Sequence, residues 1–197
     1  LMSVLSDDDF SNKNFKFGTS KEIKINGKKI WAQRLSYVGE LGYELYIKMG
    51  ESKDIYNLII EKGKEFNLSH CGMFAMDTMR MEKGYLHWGH DMSPEENQYE
   101  SGLKFAISFK KNIDFVGKKA IQQIKNKKIK KMMIMLVLKS SQPGSPLLLH
   151  DEPIYCDGKI VGRTTSGNYS FNYKKNMSFG YINMILPLEE LAKKKFF

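Results

Sequence analysis

The stretch RLSYVGELGYELYI, from Arg34 to Ile47, places Glu40 between two glycines. Its ends carry aliphatic and aromatic residues, which favour a pleated sheet, so a strand is predicted on each side of a turn. Gly39 and Gly42 allow a sharp bend around Glu40, because glycine tolerates backbone angles that other residues do not. A carboxylate on such a turn can accept two adjacent N–H groups of a ligand. A turn whose glutamate points into water explains the same spacing.

Strand and helix patterns around this stretch predict a small antiparallel β unit and a helix. Lys24 to Ile30 indicates two short strands joined by Asn26-Gly27, a pair that favours a two-residue hairpin turn. A helix is predicted from Ser52 to Phe66, with Ser52 as its N-cap and apolar residues along one face. The chain is therefore expected to begin with a small antiparallel sheet on which a helix packs.

A second helix is predicted in MFAMDTMRMEK, which starts at Met73 and ends before Gly84, a typical residue for a C-terminal cap. Its methionines form an apolar stripe, which indicates a core face more than a ligand site. Asp77 and Arg80 are three residues apart, a spacing that favours an ion pair on the helix surface.

The loop GYLHWGHDMSPEEN, from Gly84 to Asn97, mixes aromatic, histidine and acidic residues, which is unusual for a solvent-exposed connection. His87, His90 and Asp91 are of the types that bind metals. They lie within five residues of each other without a distant fourth ligand, which makes a poor closed site. A structural or pocket-lining role is predicted for this loop, and no metal.

Two further elements precede a change in the character of the chain. Leu103 to Phe109 alternates in a way that predicts a strand, with Phe105 as a core residue. FVGKKAIQQIK, from Phe115 to Lys125, predicts an amphipathic helix with Ala120, Ile121 and Ile124 inward. From Lys131 onward, short strands separated by turn signals predict a small antiparallel β-barrel, with Asp157-Gly158 as a hairpin turn.

Composition limits the classes of function. The formal net charge is +9, but 28 of the 31 basic residues are lysines, whereas specific nucleic-acid readers favour arginine. The run from Lys125 to Lys131 is therefore interpreted as a solvated surface, and nucleic-acid binding is not expected. No apolar run approaches the roughly 18 residues that span a bilayer, so no membrane partner is predicted. Cys71 and Cys156 have no CxxC spacing and indicate a reducing compartment.

Three of these stretches resemble the glycine-cleavage T-protein (aminomethyltransferase) family. SYVGELGYEL resembles the turn that holds the pterin end of folate in that family. AMDTMRMEKGYLHWGHDMSPEENQYESGLKFAISFKK, from Ala75 to Lys111, resembles the branch of dimethylglycine and sarcosine dehydrogenases. Met76 stands where the glycine-cleavage branch commonly has an arginine, which favours the dehydrogenase branch. GRTTSGNYSF, from Gly162 to Phe171, resembles a loop of the family's C-terminal barrel that faces the folate domain.

The resemblance implies a fold, a cofactor and site residues. The implied fold class is α+β. Residues 1–125 would be the second half of a T-protein-type folate-binding domain, and residues 126–197 a small antiparallel β-barrel domain, both expected to be incomplete. Glu40 would anchor the pterin of tetrahydrofolate, and Tyr37 and Phe105 would line the folate pocket. No catalytic residue is assigned, because the family's catalytic aspartate is expected upstream of Leu1, as is the FAD domain of the dehydrogenase branch.

The loop residues Thr165 to Gly167 have two interpretations at this point. By the resemblance they contribute to the cleft between the two domains. A turn held by hydrogen bonds from side chain to backbone explains the same residues equally well.

The implied activity is one-carbon transfer to tetrahydrofolate. An aminomethyl or iminium carbon from a small methylated amine would be captured as 5,10-methylenetetrahydrofolate, in an aminomethyltransferase-like part of a dimethylglycine or sarcosine dehydrogenase. The expected compartment is the cytoplasm, or the mitochondrial matrix in a eukaryote.

One alternative is a non-catalytic folate-binding accessory protein of the same fold, linked to iron–sulfur assembly and tRNA modification. That relative has a cysteine after lysine-glycine, whereas Tyr85 follows Lys83-Gly84 here. The other alternative is a basic RNA-binding module.

Overall fold

The computed structural model describes residues 1–111, 113–125, 127–140 and 142–197. The chain forms two compact units, Leu1–Met76 and Asp77–Phe197. Helices and antiparallel sheets occur together along the chain, which confirms the predicted α+β class. The domain boundaries at 1–125 and 126–197 stay a prediction.

The first unit is a three-stranded antiparallel sheet with helices. Its elements are helix α1 (Met2–Leu5), strands β1 (Ser20–Ile25), β2 (Lys28–Gln33) and β3 (Glu44–Tyr46), and helix α2 (Ser52–Gly63). The strand order is β1-β2-β3. Asn26 and Gly27 have φ angles of 49° and 73°, as a primed two-residue turn requires, so the predicted hairpin is confirmed.

One face of this sheet builds the core of the first unit. Ile23, Ile25 and Ile30 alternate with exposed residues along β1 and β2, and each is at most 1% exposed. Phe15 and Ile55 of α2 pack into the same cluster. The period of two along the strands therefore selects the buried face, as it does in any half-buried sheet.

Two local predictions in this unit were wrong. Residues 34–38 form no strand, because the Ser36 hydroxyl accepts hydrogen bonds from the Val38 and Glu40 N–H groups at 3.2 and 3.1 Å, which engages the backbone locally. Ser52 does not cap α2 either. A 3₁₀ turn at Met49–Glu51 runs into the helix, so Ser52 already has helical angles and donates to the Met49 carbonyl.

The second unit contains the end of α3 and a four-stranded sheet. Its elements are helices α3 (Met73–Glu82), which begins in the first unit, α4 (Lys118–Lys125) and α5 (Leu188–Leu191), and strands β4 (Met132–Val137), β5 (Pro153–Cys156), β6 (Lys159–Ser170) and β7 (Lys175–Ile182). The sheet is antiparallel with the order β4-β7-β6-β5. Among the described residues, strand pairing leaves β4 and β5 at its two edges.

Turn chemistry and burial shape this sheet. Asp157 and Gly158 have φ angles of 51° and 74° and join β5 to β6, which confirms the second predicted hairpin. The pairing of β6 with β7 shifts register between Thr164 and Gly167, a β-bulge. The sheet packs two apolar clusters, one around Ile154, Cys156, Val161, Ile182 and Leu191, the other formed by Met81, Met177 and Phe179.

The segment before the sheet differs in part from the prediction. Leu103–Ala106 is a 3₁₀ turn that follows Gly102 at a φ of 76°, and no strand forms there. Phe105 is 84% exposed, so its prediction as a core residue was wrong. The amphipathic helix is confirmed as α4, in which Ile121 is buried and Ile124 half-buried. Ala120 is exposed, so its prediction as an inward residue was wrong. No helix in the described part of the chain is both long enough and apolar enough to cross a bilayer.

Candidate functional site

The loop between β2 and β3 carries Glu40. Its ends are fixed because β2 and β3 pair with each other, with Gln33 opposite Glu44. At its start, the Arg34 guanidinium donates to the Phe15 carbonyl and to the Asn12 side chain, both at 2.5 Å. The loop is therefore held on the sheet at both ends, although it contains no strand.

Aromatic packing reinforces the end of this loop. The Tyr43 ring lies 5.4 Å from the ring centroids of both Phe10 and Phe15, with an edge-on contact to Phe10. Phe15 is 1% exposed, so the loop is attached directly to the core of the first unit. Such aromatic pairs stabilise by about 0.5–1.5 kcal/mol beyond their buried area.

Inside the loop, backbone geometry presents Glu40 at the surface. Gly39 has a φ of 68°, in the region that favours glycine. The Ser36 hydroxyl accepts from the Glu40 N–H, and the Glu40 side chain is exposed. An ionised carboxylate accepts hydrogen bonds through both oxygens, so a ligand with adjacent N–H donors can bind it in a fork.

The other predicted site residues have different positions. Tyr37 lies in the same loop as Glu40 and is 37% exposed, so the structure brings these two together on one segment. Phe105 belongs to the second unit, where its ring is 84% exposed on the 3₁₀ turn. Each of the three residues is exposed.

A buried ionic network lies in the second unit. Arg80 is 1% exposed, although it stands on the α3 helix. Its guanidinium donates to Asp77 at 2.7 Å, to the Tyr85 carbonyl at 2.9 Å and to the Asp91 carboxylate. It also donates to the Ser166 hydroxyl at 2.8 Å. The predicted Asp77–Arg80 ion pair is confirmed, and it is the outer part of a larger network.

Asp91 is the buried acceptor of this network. Its carboxylate accepts from the Thr165 hydroxyl at 2.6 Å and from the His87 N–H at 2.8 Å. Burial raises the pKa of Asp91, but the hydroxyls of Ser166 and Thr165 oppose it. The His87 N–H and the Arg80 charge act in the same direction as the hydroxyls, so the pKa lies below its ordinary value. Asp91 is therefore a charged structural residue.

Glu82 forms a second buried carboxylate at the end of α3. It accepts from the Ser170 hydroxyl at 2.6 Å, from the Asn172 N–H at 3.2 Å and from the Asn172 side-chain amide. Burial raises the pKa of Glu82, yet these hydrogen bonds outweigh it and the pKa lies below its ordinary value. Glu82 thereby attaches α3 to the connection between β6 and β7.

Sequence reasoning did not find these networks, because their partners are far apart in the chain. Arg80 and Ser166 are separated by 86 residues. Thr165 and Ser166 were interpreted as part of a loop or turn, which was wrong, since both lie within β6 and are buried. The one signal in the sequence that could have indicated the networks was the pair of polar residues Thr165 and Ser166 beside an apolar strand pattern.

The histidines of the second unit lie close together. The ring centroids of His87 and His90 are 5.9 Å apart, and those of His90 and His150 are 4.5 Å apart. Residues 1–111, 113–125, 127–140 and 142–197 contain no group of three or more histidine, cysteine or acidic side chains arranged to hold a metal ion.

Curated proteins similar to this chain include dimethylglycine and sarcosine dehydrogenases and aminomethyltransferases. Human mitochondrial dimethylglycine dehydrogenase is 36% identical over 182 residues, which are 92% of this chain and 21% of that protein. Human mitochondrial sarcosine dehydrogenase is 31% identical over 183 residues, which are 93% of this chain and 20% of that protein. The chain thus spans about a fifth of the length of these relatives.

The fold and the family are shown by two further comparisons. The crystal structure of the glycine cleavage system aminomethyltransferase T from Bartonella henselae superposes with a TM-score of 0.77 at 21% identity, over 92% of this chain and 48% of that chain. Residues 1–111 match the GCVT N-terminal domain, and residues 131–195 match the glycine cleavage T-protein C-terminal barrel domain. The chain therefore belongs to the glycine cleavage T-protein family of aminomethyltransferase-like enzymes, as the three sequence motifs indicated.

Proposed function

We propose that this chain is a tetrahydrofolate-binding module for one-carbon transfer. The observation that carries the proposal is the position of Glu40, an exposed residue on a loop anchored at both ends in a member of this family. The module would serve a dimethylglycine or sarcosine dehydrogenase-like enzyme, or an aminomethyltransferase. Its carbon donor would be a small methylated amine or an aminomethyl group.

Glu40 fits the amino-pyrimidinone edge of a pterin. That edge presents two neighbouring N–H donors, and the carboxylate offers two acceptor oxygens in matching geometry. Tyr37 lies three residues away on the same loop and offers a ring face and a hydroxyl. Phe105 offers a second exposed ring for the folate. This donor and acceptor set suits a flat, hydrogen-bonding heterocycle.

Tetrahydrofolate supplies the nitrogens that accept the one-carbon unit. The chain's own residues would orient it: the Glu40 carboxylate fixes the pterin end, and the aromatic rings restrict its tilt. Orientation of this kind accelerates transfer, because the reacting atoms are already close when the donor arrives. We assign no catalytic residue to this chain, and we assign any FAD chemistry to another domain of the complete enzyme.

The compartment is part of the proposal. The names of both curated relatives place those proteins in mitochondria. We propose the cytoplasm, or the mitochondrial matrix in a eukaryotic cell, for this chain.

Calorimetric titration with 5-formyltetrahydrofolate tests the proposal. A hydrogen bond to a charged group contributes about 1.5–3 kcal/mol, so Glu40→Gln should weaken binding at least about tenfold. Glu44→Gln is the matched control, because Glu44 is a nearby carboxylate on β3 that accepts from Tyr46 at 2.8 Å. Equal affinities of wild type and Glu40→Gln, both folded by circular dichroism, would refute the role of Glu40. Absence of folate binding by the folded wild type would refute the module itself.

A further inference from the structure

An apolar groove of about 690 Å³ lies in the second unit. It is formed by α4 and by the segment that follows the 3₁₀ turn. Its apolar lining includes Ala106, Ile107, Phe115, Val116, Ile121 and Ile124. Sites that bind ligands in proteins have volumes of about 300–1,000 Å³ and mostly apolar walls.

The rim of the groove exposes large apolar side chains. Val116 is fully exposed, Ile113 is 69% exposed and Phe115 is 40% exposed. Single exposed apolar residues are ordinary, but neighbouring ones around a groove mark an interaction site. Burying them against a partner would remove this apolar surface from water.

Lysines lie at the rim of this groove. Lys111 lines it, and the Lys118 Nζ donates to the carbonyl of the lining residue Ile113 at 3.1 Å. Residues 101–150 contain eleven lysines and one acidic residue, Asp114, a formal charge of +10 that exceeds the +9 of the whole chain. Asp114 accepts from the N–H of Phe115 at 3.0 Å. In the described part of the chain, Lys131 pairs with Glu96, and no carboxylate lies within ion-pair distance of the other lysines in this segment.

The distribution of the lysines selects the class of partner. They stand at both ends of α4, at Lys118, Lys119 and Lys125, and continue through Lys127 to Lys131. A helix of eight residues is about 12 Å long. A ligand that pairs with lysines at both ends of α4 must therefore carry negative charges at least that far apart. The ligand is therefore an extended molecule with several negative charges, and it also needs apolar side chains that enter the groove.

We propose that this groove binds an acidic polypeptide segment, with apolar side chains in the groove and carboxylates on the surrounding lysines. A nucleic acid has the charges but lacks aliphatic side chains to fill the groove. A membrane surface has both, but it is flat and does not follow a concave site. This inference does not depend on folate binding.

The test is fluorescence anisotropy of the full chain with a labelled amphipathic peptide that has leucines on one face and glutamates on the other. We expect binding that Val116→Asp weakens at least about tenfold, because the substitution places a charge in an apolar contact. Lys111→Glu, at a lysine that lines the groove, should also weaken it. Lys53→Glu, an exposed lysine on α2, should not. Val116 is fully exposed, so its substitution removes no internal packing.

Three probes decide between partners. A peptide with serine in place of leucine must bind more weakly; equal affinity would overturn the role of the groove. Single-stranded poly-U RNA and phosphatidylglycerol vesicles must also bind more weakly than the leucine–glutamate peptide. Tighter binding of either, or no peptide binding by the wild type, would overturn the proposal. Titration with 5-formyltetrahydrofolate is expected to be unchanged in Val116→Asp, so failure here is separate from failure of the folate proposal.

Discussion

Arg80 shows how a residue that looks like part of a surface pair can belong to the interior. The Asp77–Arg80 spacing is typical of an exposed helix face. In the structure the arginine is buried, and its guanidinium donates hydrogen bonds to Asp91, Ser166 and the Tyr85 carbonyl. The side chain of Asp77 is 36% exposed. A buried charge is tolerated here because its donors have several acceptors.

Loss of Arg80 should therefore cost far more than loss of Asp77. Arg80→Met leaves the buried Asp91 carboxylate without its counter-charge, and we expect a loss of about 3–5 kcal/mol in the free energy of unfolding. Asp77→Asn, the control, removes a partly solvated partner and should cost less than about 1 kcal/mol. Urea denaturation followed by Trp88 fluorescence, in a Trp31→Phe background, measures both. Similar losses for the two variants would contradict the buried network.

Glu40 and Tyr37 should contribute unequally to folate binding. A charged hydrogen bond is stronger than a neutral one, by about 1.5–3 against 0.5–1.5 kcal/mol. We expect Glu40→Gln to weaken affinity for 5-formyltetrahydrofolate more than Tyr37→Phe, which keeps the ring and removes only the hydroxyl. Calorimetry on the two variants gives the comparison, and a larger loss for Tyr37→Phe would reverse the assigned roles.

At the scale of elements, local signals worked where a few neighbouring residues decide the conformation. Both predicted hairpins formed, since Asn-Gly and Asp-Gly accept positive φ angles at low cost. The end of α3 also formed as predicted. The Gly84 N–H donates to the Met81 carbonyl at 3.0 Å and the Tyr85 N–H to the Arg80 carbonyl at 2.9 Å, which is the Schellman arrangement.

Two glycines should differ strongly in their tolerance of alanine. Gly84 has a φ of 77°, but a Cβ there meets no atom within 4 Å, so Gly84→Ala should cost about 1–2 kcal/mol from backbone conformation alone. At Gly167, a Cβ would lie 1.9 Å from the Leu148 carbonyl oxygen, so the backbone of β6 must move. We expect Gly167→Ala to cost about 3 kcal/mol or more. Thermal denaturation of both variants tests this order, and equal losses would show that β6 adjusts freely.

The strand predictions failed where a side chain or a turn engages the backbone locally. After Gln33, hydrogen bonds to the Ser36 hydroxyl form in place of strand pairing. Near Phe105, a 3₁₀ turn that follows Gly102 forms in place of a strand. Both segments have apolar residues that suit a sheet, but β propensity mostly reports burial against neighbours, and no residue of either segment is buried. The apolar pattern of a segment does not show whether another strand lies beside it.

For the whole molecule, the two buried carboxylates of the second unit predict sensitivity to acid. The pKa values of Asp91 and Glu82 lie below their ordinary values of 3.8 and 4.5. A lowered pKa in the folded state adds stability above the unfolded value, and that stability is lost as the pH falls through the folded pKa. The second unit should thus weaken below about pH 4.5, as both groups become protonated.

Glu82→Gln tests this linkage. We expect its urea midpoint, reported by Trp88, to lie below that of the parent protein near pH 7. The difference should shrink as the pH falls below about 4.5, because the unfolded parent then takes up a proton at this carboxylate and the stability gained from the lowered pKa is progressively lost. Glu95→Gln, an exposed neighbour in the loop before Glu96, is the control. A midpoint difference that stays constant across this range would show that the Glu82 charge does not contribute.

The sequence by itself determined the α+β class, both hairpins, the helices α2, α3 and α4, and the family. Each of these depends on contiguous residues: turn chemistry, apolar periodicity or an unbroken motif. Tertiary structure alone decided that Arg80, Glu82 and Asp91 are buried, since their acceptors and donors on β6 and its connection to β7 lie 74 to 91 residues away. It also decided that Phe105 is exposed. Burial depends on which distant segments cover a residue, and no local pattern contains that information.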